Sequence, residues 1–133
     1  MVIELIPLRT PEVVVTALGP AIVHANDFSP VTSDKPAKAG EVLTLIASGL
    51  GPTQPGVDPG QPFTASPVQL VNSPIDVLVN GRAGEVLYAG GFPDSVDNYQ
   101  VNFRMPGDAA SGLASVQVGS AWVIGSAVKI PVH

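Results

Sequence analysis

The chain has 133 residues, enough for one domain with a single core, and its 14 Gly and 14 Pro lie between apolar alternating runs, where turns belong. Only 13% of the residues are charged, the net charge is −5, and the six Lys and Arg (9, 35, 38, 82, 104 and 129) form no basic stripe, which argues against nucleic acid and against a polybasic membrane contact. Cysteine is absent, so disulfides and thiolate metal sites are excluded, and no stretch of 18 apolar residues is present to span a bilayer.

Residues 1–19 are read as an N-terminal edge strand or linker. Their β-branched runs at 2–6 and 12–18 are broken by Pro7 and Pro11, and proline is tolerated at sheet edges and bends. Met1 is followed by Val2, Ile3 and Glu4 with no basic leader, and the chain starts almost inside an apolar run, so the expectation is a segment of a longer polypeptide. The main domain is expected over 20–133. Gly19-Pro20 turns the chain, 21–25 is a short strand, and polar residues 26–40 read as a surface loop.

Glu41 to Ala47 is a strand with apolar residues on both faces, Leu43 and Leu45 opposite Val42, Thr44 and Ile46, which predicts a central position. Residues 49–67 form a Gly/Pro-rich excursion longer than most loops in compact domains, and such loops are often functional. Four prolines within 52–62 make it stiff. Asn80-Gly81 between 75–79 and 82–88 predicts a type I′ hairpin with positive φ at both residues. In 99–105, Tyr99, Val101, Phe103 and Met105 alternate with Gln100, Asn102 and Arg104, one face buried and one wet. Residues 114–119 and 126–132 close the domain, with Trp122 between them. The sum is an all-β fold, a sandwich of about seven antiparallel strands without a helix. Leu43, Leu45, Val77, Val79, Val101, Phe103, Val116, Val118, Val128 and Ile130 are its expected core.

Three blocks carry a resemblance: Gly40 to Pro52, the Val79-to-Gly90 run V-N-G-R-A-G-E-V-L-Y-A-G, and Y-Q-V-N-F-R-M-P at 99–106 followed by G-D-A-A-S-G-L-A-S-V-Q-V. Over residues 20–132 the chain resembles a C-terminal domain family of Solibacter and other Acidobacteria, and more broadly immunoglobulin-like domains of the IPT/TIG kind. The resemblance implies an immunoglobulin-like β-sandwich that serves as an accessory unit of an exported bacterial protein, at the cell surface or outside the cell. It carries over no catalytic residue.

The search for chemistry gives little. His24 and His133 are the only histidines, and no zinc spacing exists. Asp94 and Asp97, with Ser95 and Asn98 nearby, could offer oxygen ligands to calcium, but they lack the spacing of a dedicated calcium loop and read first as turn carboxylates. No serine sits in a nucleophile-elbow motif, His24 alone could act as an internal base, and nothing brings Glu41 and Glu85 together. Phe63, Phe92 and Trp122 could make a small sugar-stacking platform. No cofactor and no catalytic activity are expected. The expected role is a structural or protein-interaction module, with other domains of the parent chain or a protein partner meeting the 49–67 excursion at Pro52, Pro55, Val57 and Phe63. The alternative is a carbohydrate- or calcium-binding module.

Overall fold

The structure, a computed structural model, describes residues 10–17, 19–58, 60–121 and 123–133. The expected strand at 2–6 and the position of Trp122 lie outside the described residues. The first strands are β1 (Glu12–Val13), β2 (Val15–Thr16), β3 (Gly19–Pro20), β4 (Ile22–His24) and β5 (Val42–Ser48). Next come β6 (Thr53–Gln54), β7 (Leu70–Val71), β8 (Ile75–Val79), β9 (Arg82–Ala83) and β10 (Glu85–Gly91). The last are β11 (Tyr99–Arg104), β12 (Gly112–Ser120), β13 (Val123–Ile124) and β14 (Val128–Val132). No helix occurs among the described residues.

Two antiparallel sheets make a sandwich-like fold. The first runs β1-β5-β11-β10-β7-β6, with β4 also paired to β5; the second runs β13-β12-β8-β9, with β14 also paired to β12. β2 and β3 form a separate ribbon. β5 is central, as its two apolar faces predict: β11 lies on one side, β1 and β4 on the other. Of the three sequence blocks, Gly40 to Pro52 covers β5, Val79 to Gly90 runs from the end of β8 through β9 into β10, and 99–118 spans β11 and most of β12.

Alternation sets the core. Leu43, Leu45, Val101 and Phe103 from the first sheet join Val77, Val79, Val116, Val118 and Ile130 from the second in one buried cluster. Val128, expected in the core, is only partly buried and packs against that cluster. At the hairpin, Asn80 (φ 52°) and Gly81 (φ 79°) hold the two central positions between Val79 and Arg82.

The second arm of that hairpin departs from expectation. Only Arg82 and Ala83 pair with β8; from Glu85 onward the chain pairs with β11 in the other sheet. The crossing is at Gly84, where a Cβ would stand 3.0 Å from the Arg104 carbonyl. The 82–88 run is apolar enough to serve either sheet, and glycine at 84 leaves room for the close approach at the crossing.

Residues 26–40 are not simply a surface loop. Ala37 is fully buried, its amide donates to the Pro131 carbonyl (3.0 Å) and its carbonyl accepts from the His133 amide (2.8 Å). The loop therefore lies along the outer edge of β14 and supplies edge partners to its end.

Candidate functional site

The 49–67 excursion is built around two anchors. The first is Phe63. Its ring rests on Gly91, where a Cβ would stand 2.3 Å from a ring carbon, and its centroid lies 5.0 Å from that of Tyr99 at an interplanar angle of 53°. The Phe63 amide donates to the Ser95 carbonyl (2.8 Å) and its carbonyl accepts from the Asp94 amide (2.8 Å). Tyr99 in turn donates its hydroxyl to the Gly51 carbonyl (2.6 Å). One aromatic pair thus fastens the excursion to the 92–98 turn.

The second anchor is Gln69, which is 1% exposed. Its Oε1 accepts from the Thr53 hydroxyl (3.0 Å) and the Gly56 amide (2.7 Å), while its Nε2 donates to the Thr64 hydroxyl (2.8 Å). A buried amide with these partners replaces the hydrogen bonds that a regular strand would supply. Only two residues on each side, in β6 and β7, pair as strand. Both Gln54-Pro55 and Ser66-Pro67 peptide bonds are cis.

Between the excursion and the 92–98 turn lies a cleft of about 410 Å³. Pro52, Val57, Val96 and the edges of Phe63 and Tyr99 give it apolar walls, and Asp58 and Asp97 add carboxylates. The predicted surface residues separate here. Pro52 and Pro55 are exposed and Val57 is half-buried, but Phe63 is 6% exposed. Phe63 is a fastener beneath the surface, because a large ring gains more from Gly91 and Tyr99 than from water. It offers no open face for a sugar to stack on; of the other two platform residues, Phe92 is exposed and Trp122 lies outside the described residues.

Asp94 (φ 65°) and Asp97 (φ 58°) both occupy left-handed turn positions, which Asp adopts more readily than most residues. The Asp97 Oδ1 accepts from the Gly49 amide (3.2 Å). Among the described residues no three His, Cys, Asp or Glu side chains gather to hold a metal ion. Glu41 and Glu85 are likewise apart in function: Glu41 bonds His24, and Glu85 lies 3.6 Å from the Arg104 Nε.

At the other end of β5 is a cluster that residue spacing did not bring out. His24 is 3% exposed, with Nε2 against the Lys35 carbonyl (2.9 Å) and Nδ1 bonded to Glu41. The other Glu41 oxygen accepts from the Lys38 amide (3.0 Å). Above it, Asp27 accepts from the Ser29 amide (2.9 Å), the Ser29 hydroxyl (2.6 Å) and the Lys35 ammonium. Lys35, foremost, and Ser29 hold the Asp27 carboxyl well below the usual carboxylate range. His24 had a readable signal, since alternation places it on the same face as buried Ile22. Gln69 had one too, as the polar residue of the run Val68-Gln69-Leu70-Val71.

Compared with known proteins, the chain matches no family model, no curated protein and no solved structure.

Proposed function

We propose that this is a non-catalytic accessory module, an immunoglobulin-like sandwich of the IPT/TIG kind in a larger exported bacterial protein, acting outside the cytoplasm. It docks a neighbouring domain of its parent chain or a protein partner through the cleft at the 49–67 excursion. The observation that carries this reading is the fastening of that cleft. Its apolar walls are held by Phe63, Tyr99 and Gln69 before any partner arrives, so little loop entropy is lost on docking. Loops held on a rigid scaffold are where such folds place recognition. The non-catalytic part is supported by His24, the one internal histidine, whose two ring nitrogens are both engaged beneath the surface. The family likeness rests on the sequence blocks alone, Gly40 to Pro52, Val79 to Gly90 and Tyr99 to Val118.

The test uses the domains adjacent to this one in its parent protein, titrated against the 133-residue chain by calorimetry. Val57→Asp and Val96→Asp should each weaken binding by about tenfold or more, and Val96→Asp, at an exposed position, should do so with unchanged thermal unfolding. Binding that survives both substitutions rejects the cleft as the docking surface, and no binding by any neighbour rejects a parent domain as its occupant.

A further inference from the structure

The two ends of the sandwich differ in shape. At one end is the cleft, just beyond the C-terminal end of β5. At the other is the turn 24–29, because β4 pairs His24 with Leu43 at the start of β5. The seven residues of β5 separate the two by about 20 Å.

That turn displays Phe28, which is 68% exposed and has φ 60°. Both properties work against folding. A bulky residue in the left-handed region is strained, and an exposed phenyl ring gains nothing from burial. Glycine or asparagine would suit the position better. Yet the conformation is tightly specified. The Phe28 amide donates to the His24 carbonyl (2.7 Å), the His24 amide donates to the Ser29 carbonyl (2.8 Å), and the Asp27–Ser29–Lys35 brace closes the turn. A strained residue held by surrounding bonds points to a use outside its own fold.

We infer that Phe28 is a knob that seats in the 410 Å³ cleft of a second copy of this chain, giving end-to-end assembly. The inference rests on the cleft being a docking surface and names its occupant. A cavity of about 150 Å³ already accepts benzene, so the cleft has room for a phenyl ring between Pro52, Val57 and Val96. The Phe28 end is of mixed charge, with Lys35 and Lys38 beside Asp27, Asp34 and Glu41, whereas Asp58 and Asp97 line the cleft, so cleft against cleft would oppose like charges and knob into cleft does not. Because knob and cleft lie at opposite ends, the contact is head-to-tail and does not close at a dimer.

Sedimentation equilibrium tests this. The wild-type chain should form species that grow with concentration. Phe28→Asn, which suits the left-handed backbone, should weaken assembly by about tenfold or more without lowering the thermal midpoint. Val57→Asp should weaken it equally. Each variant retains the half that the other lacks, so an equimolar mixture should give a 1:1 dimer that grows no further. A wild-type chain that stays monomeric up to its solubility limit overturns the inference, as does a mixture that stays monomeric while wild type assembles. A lowered thermal midpoint in Phe28→Asn also overturns it, since the ring would then serve its own fold. If wild type is monomeric but Val57→Asp still loses a neighbouring parent domain, the knob fails and the docking cleft stands.

Discussion

The two ends of the sandwich solve one problem with different chemistry. Each must hold a long irregular segment against the sheets without regular strand pairing. The 49–67 segment is held by neutral groups: a ring on a glycine, an aromatic neighbour and a buried amide. The 24–41 segment is held by ionisable ones, His24 with Glu41 and Asp27 with Lys35. Neutral, buried contacts respond little to salt, whereas exposed ion pairs are screened within about 10 Å at 0.1 M. The cleft end should therefore keep its shape across conditions, and the Phe28 end should be the one that solution conditions tune.

The largest effect should come from removing the ring. Phe63→Ala takes the anchor off Gly91 and Tyr99 and should cost about 3–5 kcal/mol. The urea midpoint reads it, and a loss below about 1 kcal/mol would show that the excursion is held by something else. Gln69→Leu keeps similar bulk but strips three partners. Thr53 is buried and would be left without an acceptor, so a loss of about 2 kcal/mol is expected. Both losses should be the same in low and high salt, and a strong salt dependence would break the contrast between the ends.

At the other end, Glu41→Ala removes the acceptor of the Lys38 amide and the partner of His24. The Glu41 side chain is partly exposed, so water replaces some of what is lost, and about 1 kcal/mol is the expected cost. Hydrogen exchange gives the sharper readout. The Lys38 amide should lose protection, and the Ala37 amide on the Pro131 carbonyl should follow because the same segment carries both. Protection at Phe63 and Asp94 should not change. Loosening at both ends together would mean that β5 transmits strain along its length and the ends are not independent.

The sheets were legible from sequence because their signals are local and periodic. The alternation in 99–105 and the Asn80-Gly81 pair each determine structure within a few residues. The fastenings were less legible because they join distant residues through single contacts. Nothing near Phe63 announces that Gly91, 28 positions later, leaves room for its ring. An aromatic in a proline-rich loop reads equally well as displayed or as inserted, and the structure inserts it. The same holds for Ala37, a small residue in a polar stretch whose burial depends on the edge of β14. Gly84 shows a third kind of limit. The residues on either side suit a strand in either sheet, and the glycine that permits the close approach to the Arg104 carbonyl reads from sequence only as a turn residue.

The smallest effect belongs to Asp27, and its sign follows from the geometry. The Lys35 ammonium first, then the Ser29 hydroxyl and amide, favour the charged carboxylate in the folded chain. Its folded value lies below the unfolded one, near 3.9. The brace therefore contributes fully above that unfolded value and is lost as pH falls through the lowered folded one. Asp27→Asn should accordingly be less stable than wild type at neutral pH, with the gap closing in strongly acidic solution. The side chain is half-exposed, so the gap should also shrink in high salt. Carbon NMR of the Asp27 carboxyl reads the cause directly, since it should remain ionised at a pH where ordinary aspartates are protonated. If it titrates as an ordinary aspartate, and the variant tracks wild type at every pH, the turn is not braced in solution. Phe28 would then lose the rigid presentation that distinguishes a knob from a loose loop.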